Sequence, residues 1–365
     1  MNRDDGHGTN RDDGHGTNRD GPAGTDADAP TNADSVRTDG GTATTNADDS
    51  PLSAVDETLR MVSWYPIAKK ELLDTTRSWV LWLVSVLFLA VFVIPLAVVL
   101  YTGLGPTAKA VGALVAAGAR SLASILVPLA AIAVSFAAVS GERQGGSLKL
   151  LLSLPYTRRD VVMGKFVSRL TVVGLPLLVA LVLRLLVAAP KGNVGALDSQ
   201  AIFVGLTLVL AAVFVAIGVG LSAATKTTNR SIGAVFGVYV YLFLFWNSLA
   251  NGIGNLLSRF TDVQQLTKFK VVLFVKLLNP TQAYKSLLSS LLGTPTYVAR
   301  VQMFGSLLSG RQARLQTQLK QQLLAKQFQN SLPVYLGDPA AAVVLVAWIV
   351  VPLVVGYYLF EHADL

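Results

Sequence analysis

Gly164-Lys165 is the nearest this chain comes to a nucleotide-binding signature, and it fails on spacing. A phosphate loop needs G-x-x-x-x-G-K followed by Ser or Thr, so that backbone amides and the lysine cradle phosphates. Here Phe166 follows the lysine, and the required upstream glycine is absent. Metal chemistry is equally poorly supplied. There is no Cys, and there are only three His and four Met, so soft copper ligation has no cluster to use. His7 and His15 lie in a low-complexity repeat, and His362 lies beyond the last apolar run. No H-E-x-x-H pattern and no paired acids interrupt the apolar runs, which argues against an intramembrane hydrolase. What remains is a polar, basic connector from Gly141 to Lys165 between two apolar runs.

The local design around these residues is helix, turn, helix. Ser147 can cap a short helix in which Leu148, Leu151 and Leu152 share one face, and Pro155 terminates it. Thr157-Arg158-Arg159-Asp160 has capping-box spacing, with Asp in place of the more usual Glu. Such a unit presents leucines and cations either to a soluble docking partner or, as a self-contained interfacial turn, to lipid phosphates. The absence of Cys excludes disulfides but identifies no redox compartment.

The elements that must position this connector are apolar runs of membrane length. Trp79–Tyr101, Ser121–Ser140, Ala201–Thr225, Ser231–Ser258 and Pro339–Phe360 carry no charge, and Leu170–Ala189 carries only Arg184. At about 1.5 Å per residue, roughly 20 residues cross a hydrocarbon layer near 30 Å. The expected fold is therefore an all-α integral membrane protein of six transmembrane helices, over about residues 79–101, 121–140, 170–189, 201–225, 231–256 and 339–360. Placing both termini in the cytoplasm puts eleven Lys and Arg on the inner connectors, from Lys69 to Arg230. The short outer connectors then carry Lys109, Arg120 and Lys191, the asymmetry that orients membrane proteins. Arg184, near the outer end of span three, can snorkel to the headgroups as an anchor or serve a gating role.

Charge is divided along the chain. Residues 1–60 hold thirteen acids and five bases, and the remainder holds nine acids and twenty-five bases, so a basic body follows an acidic tail. Asn2–Thr9 reads NRDDGHGT, and Asn10–Thr17 repeats it. A polar repeat of period eight builds no apolar face, which predicts a disordered tail over 1–60. An acidic tail of this kind fits a high-salt cytoplasm. The basic body calls for anionic lipid or an acidic partner surface, and no nucleic-acid recognition module is present.

Two further segments complete the pass. Ile67–Ser78 has a modest apolar stripe beside Lys69, Lys70 and Arg77, as an interfacial helix would before span one. Residues 259–338 form a long connector that the topology places outside the cell. It carries a break at Asn279-Pro280 and a stretch of strong helix propensity over 311–328. A re-entrant segment near Val271–Leu278 is the rival arrangement for its first half.

The chain resembles permease subunits of the type 2 ATP-binding-cassette transporters, in particular the six-span branch that includes the membrane subunit associated with nitrous oxide reductase maturation. The resemblance covers about residues 61–360. It rests on Glu142 followed by Gly145 and Gly146, the Leu148–Leu154 stretch, Pro155, Arg158 and Arg159, and Gly164-Lys165. Lys70-Glu71-Leu72 through Arg77-Ser78 and Leu278-Asn279-Pro280 with Ala283-Tyr284 add to it. One departure is Gln144-Gly145-Gly146, where the family places a hydroxyl residue soon after a single glycine and Ser147 arrives late. The resemblance implies a permease with no cofactor of its own, whose ATP and Mg are bound by a separate cytoplasmic ATP-binding subunit. It also implies a second permease chain, identical or related. The connector over 141–169 becomes the candidate ATPase contact, its leucines entering a groove while Arg158, Arg159 and Lys165 meet acidic partner groups or lipid phosphates. A non-transporting assembly or anchoring protein is the alternative, with the outer connector as its binding surface.

Overall fold

The computed structural model describes residues 64–76, 79–101, 108–153, 156–188, 197–260, 265–304 and 332–363, with isolated positions between 321 and 328. The repeat tail, Pro155 and most of the 311–328 stretch lie outside the described residues. Among those described the chain is helical and contains no strand.

A short helix, α1 (Tyr65–Thr76), precedes six segments long and apolar enough to cross a membrane. Span one is α2 (Trp79–Phe92) and α3 (Ile94–Tyr101), interrupted at Val93 just before Pro95, which has no N–H to continue the ladder. Span two is α4 (Ala108–Ser135), followed after a turn at 136–139 by α5 (Ser140–Gly145). After α6 (Ser147–Leu152), span three is the single helix α7 (Arg158–Ala188). The second connector helix and span three, expected as separate pieces, are thus one continuous rod.

Span four, α8 (Leu197–Ala224), is the axis of the bundle. Its sequence is apolar on every face, the pattern of a helix surrounded by others, and every residue from 211 to 220 is buried. Span six, α14 (Asp338–Glu361), crosses it at Gly220 and Gly356. A Cβ on Gly220 would stand 2.2 Å from the Pro352 carbonyl oxygen, and one on Gly356 would stand 2.4 Å from that of Gly220. Helices in a membrane gain adhesion from such close backbone approach, because lipid tails are as apolar as leucine.

Span five joins α9 (Thr228–Val240) to α10 (Trp246–Phe260) through a π-helical turn at Tyr241–Phe245. There the Trp246 N–H bonds to the Tyr241 carbonyl and passes over that of Leu242. Asn279 fills the gap: its Nδ2 donates to the Leu242 oxygen at 2.6 Å. The same side chain caps α12 (Pro280–Leu291), its Oδ1 accepting from the Thr281 and Gln282 amides.

Asn279 is the turn between α11 (Gln265–Leu277) and α12. Trp348 Nε1, ten residues into span six, donates to the adjoining Leu278 carbonyl at 2.8 Å. Ten helical residues correspond to about 15 Å. The first half of the 259–338 connector, expected to stand outside, therefore folds back as a hairpin beside the middle of spans five and six. Its turn is satisfied by protein partners, with the Leu242 carbonyl accepting from Asn279 and the Leu278 carbonyl from Trp348. Above the hairpin, the fully buried Arg300 in α13 (Thr296–Val301) ties it to span six. Its guanidinium donates to the Leu336 carbonyl, to Ser286 Oγ and to Asp338 Oδ1 at 2.9 Å.

Candidate functional site

The connector between spans two and three is built on a buried chain of charges. Lys165, on the second turn of α7, is fully buried, with its Nζ 2.8 Å from Glu142 Oε1 on α5 and 2.9 Å from Glu71 Oε1 on α1. The second oxygen of Glu71 takes Arg169 at 2.8 Å, one helical turn further along α7. Four charges on three helices thus alternate in sign. Burial alone would raise the Glu71 carboxyl, but Lys165 and Arg169 outweigh it and hold it below its ordinary value.

Gly164 is what lets α1 come close enough. A Cβ there would lie 2.9 Å from Ile67 Cβ and 3.0 Å from the Trp64 carbonyl oxygen, so any larger residue would lift α1 off α7. Gly164-Lys165 is therefore a packing and pairing dipeptide: the glycine admits the helix, and the lysine bonds to its carboxylate.

The rest of the connector is fastened to the other spans. At the turn that separates α5 from α4, the amides of Val139 and Ser140 donate to Ser222 Oγ on span four, at 3.0 and 3.1 Å. Ser231 Oγ on span five donates to the Phe136 carbonyl. Gln144 Oε1 accepts from the Thr228 amide, the first residue of span five, at 3.1 Å. Arg158 reaches the last helix: its guanidinium donates to the carbonyls of Phe360, of Glu361 at 2.8 Å and of Ala363 at 3.2 Å, and lies 5.3 Å from the Phe360 ring centroid. A cation at a helix C-terminus satisfies free carbonyls and opposes the negative end of the helix dipole.

Several sequence expectations meet a definite local geometry. Thr157 and Asp160 form the reciprocal capping pair, with the Thr157 amide donating to Asp160 Oδ2 at 3.0 Å and the Asp160 amide to Thr157 Oγ1 at 3.2 Å. Gly146 adopts φ 76°, the left-handed conformation that ends α5 after Gly145, and Ser147 then opens α6. The second glycine and the late hydroxyl are thereby explained. Ser147 does not act as the expected cap; its hydroxyl points back to the Glu142 carbonyl at 3.5 Å.

Other placements correct the expectations. Leu148, expected to enter a partner's groove, is 1% exposed and belongs to the chain's own core, because the turn at Gly146 swings α6 inward. Leu151 is half-buried against the same core. The backbone of Leu152 closes α6, and Pro155 lies outside the described residues. Lys165 and Arg158, expected to meet acidic partners or phosphates, spend their charges inside the molecule. The outward-facing rim consists instead of Gln144, Gly145, Gly146, Ser147, Ser153, Thr157 and Arg159. Glu71, Arg169, Ser222 and Ser231 were not foreseen as site residues. Carboxylates are scarce between residues 61 and 200, namely Glu71, Asp74, Glu142, Asp160 and Asp198, and that scarcity was the available signal.

The connector and its flanks are thus tied to α1 and to spans three, four, five and six. Among the described residues no cluster of His, Cys, Asp and Glu could hold a metal ion. A family model for ABC-2 family transporter proteins matches residues 65–365, the whole helical body. The chain belongs to the ABC-2 transporter family. It is 29% identical over 225 residues to the "Probable ABC transporter permease protein NosY" of Pseudomonas aeruginosa, covering 60% of this chain and 79% of that one. It is 32% identical over 226 residues to the protein of the same name from Stutzerimonas stutzeri, covering 60% of this chain and 78% of that one. This ABC-2 permease is accordingly a multi-pass protein of the cell membrane and the non-catalytic membrane subunit of an ABC transporter.

Proposed function

We propose that this permease moves its substrate by taking up the closing motion of a separate cytoplasmic ATP-binding subunit through the segment from Phe136 to Arg169. ATP and Mg bind that partner. Both termini of the permease face the cytoplasm, so the connector meets the ATPase there. The carrying observation is the fastening of this one connector to α1 and to four spans, through Lys165 with Glu71 and Glu142, Ser222, Ser231, Gln144 and Arg158. A rigid lever with those attachments converts a displacement at its tip into relative motion of whole helices. A buried ion chain adds little net stability, yet it fixes one geometry, which is what a lever requires.

The contact with the ATPase is the exposed rim, Gln144–Ser147 together with Arg159, rather than the leucines. Small and polar residues on a turn fit into a partner cleft, and Arg159 supplies the charge that steers docking. A second permease chain completes the path. Span five supports this: an 18-residue apolar stretch of it is only 17% buried within the chain, against 67% for that of span four, and its α10 exposes Ser248, Asn251 and Asn255. A polar face of that kind is unfavourable against lipid tails and calls for another protein surface or a water-lined path.

Co-purification with the ATPase partner tests the docking rim. Wild type is expected to form a stable complex, and Ser147→Trp combined with Arg159→Glu to lose it while the permease itself stays folded. Undiminished assembly by the double variant would remove the connector from the interface.

A further inference from the structure

Where α1 lies against span three, a cavity of 260 Å³ opens between the two helices. Among the described residues its walls include Trp64, Ala68 and Leu72 on the α1 side and Val167, Ser168 and Thr171 on α7. In this largely apolar lining one hydroxyl stands out. Ser168 is 1% exposed, and its Oγ has no hydrogen-bond partner among the described residues. A serine or threonine inside a helix ordinarily donates to a carbonyl three or four residues back. Thr171, in the same wall, does so to Val167 at 2.8 Å, and Ser85, Ser124, Ser135 and Thr207 do so in other spans. An enclosed hydroxyl without a partner is unfavourable, and a ligand oxygen placed beside it removes that cost.

The depth of the cavity points to its occupant. Arg169 is the last charge on span three before Arg184, so Ser168 stands where the polar start of the rod gives way to its apolar run. Trp64, Tyr65 and Lys69, which line the α1 side, are residues of the kind that gather at the headgroup level of a membrane. From Thr171 the same face of α7 continues at successive turns as Leu175, Leu178 and Val182, all exposed. The cavity is thus continuous with an apolar stripe that faces outward along the span.

We infer that this cavity holds one membrane glycerolipid, with the upper part of a hydrocarbon chain between α1 and span three and an oxygen of the glycerol backbone accepting from Ser168 Oγ. Those oxygens lie at the foot of the headgroup, directly above the chains, which is the level of Ser168. At 260 Å³ the space falls below the range of about 300–1,000 Å³ that encloses most of a small molecule, and it suits a segment of one chain rather than a whole lipid. The remainder of the chain follows the Leu175 stripe. A lipid wedged there packs the same pair of helices that Glu71 ties through Lys165 and Arg169. The inference is independent of the transport reading, since it concerns occupancy of a site and not movement through it.

The test uses the full chain, reconstituted in vesicles of palmitoyl-oleoyl phosphatidylcholine, extracted in detergent and stripped of loosely held lipid. Native mass spectrometry then counts the phosphatidylcholine bound to each chain as that lipid is titrated back. A zwitterionic probe keeps headgroup charge out of the comparison. One lipid should bind saturably to the wild type. Ser168→Ala should raise its half-saturation about tenfold, the effect of one hydrogen bond in a dry site. Val167→Trp, which fills the cavity from a half-buried position, should abolish binding. Ser124→Ala, which removes another buried hydroxyl on span two, should match the wild type. Absence of a bound lipid, or binding untouched by Val167→Trp, overturns the site. Binding lost in Val167→Trp but unchanged in Ser168→Ala, or weakened equally by Ser124→Ala, overturns the hydrogen bond from Ser168. Should Val167→Trp fail to fold, Ser168→Ala against Ser124→Ala decides the outcome alone.

Discussion

Lys165 and Glu142 meet at 2.8 Å across the boundary between spans two and three, with the lysine wholly enclosed. A pair in that position does more than join two neighbours in sequence. Glu142 sits on the connector tip and Lys165 on the rod of span three, and Glu71 brings α1 to the same ammonium group. One atom, Nζ, thereby joins the connector, span three and α1.

Replacing that atom should be costly. Lys165→Met leaves Glu71 and Glu142 facing one another without their shared cation, and breaking a buried pair on one side destabilises by about 3 kcal/mol or more. Thermal unfolding of the purified permease should show a lower midpoint. Glu142→Gln should have a smaller effect, because Glu71 still neutralises the lysine. Equal losses in the two variants would contradict the shared-ammonium geometry.

Acid should loosen the same joint. The Glu71 carboxyl lies below its ordinary value of 4.5 in the folded protein, so the unfolded chain takes up a proton first as pH falls. The contribution of this group is fully present above pH 4.5 and is lost as pH drops through the lower, folded value. Unfolding midpoints followed from pH 6 downward should therefore decline below about 4.5, and Glu71→Gln should flatten that part of the curve. A decline unchanged in Glu71→Gln would assign it elsewhere.

Gly164→Ala should separate α1 from span three. The new methyl carbon would press on Ile67 and the Trp64 carbonyl, an overpacking cost of about 1–3 kcal/mol. Gly356→Ala should be more damaging, because its obstacle is the Gly220 backbone, which cannot rotate away as a side chain can. The chain has no Cys, so a single cysteine introduced at Ile67 reports on the first case without background. Its labelling rate should rise in Gly164→Ala, and an unchanged rate would show that α1 tolerates the methyl group.

Much of this architecture was legible in the sequence because membrane spans are written in length and hydropathy. The six apolar runs correspond to six long apolar helices among the described residues, and the largest difference lies where a charged helix start continues into an apolar rod, as at Arg158–Arg169. The Thr157 and Asp160 cap was readable because its partners are three residues apart. The Lys165 to Glu71 pair was not, since ninety-four residues separate them and only the packing admitted by Gly164 brings them together. For the same reason Leu148 misled: a leucine stripe shows that a helix has an apolar face, but not whether its own core or a partner covers it. The hairpin turn at Asn279 was marked as a break, while its depth depends on a π turn in span five that no local periodicity reveals.

The Arg158 contact with the last helix gives a further expectation. Arg158→Ala frees the carbonyls of Phe360, Glu361 and Ala363 and should fray the end of span six, whereas Arg159→Ala, on the exposed rim, should leave it intact. Hydrogen exchange of the final turn should accelerate in the first variant alone. Equal protection in both would mean that the arginine does not act as a cap.

ATP turnover by the partner ATPase, co-reconstituted with this permease in liposomes, addresses the coupling claim most directly. Wild-type permease should change the turnover rate of its ATPase. Ser147→Trp with Arg159→Glu should return that rate to the value of the ATPase alone, while the permease keeps its unfolding midpoint. A rate that stays at the wild-type level in the rim variant would contradict transmission through this connector.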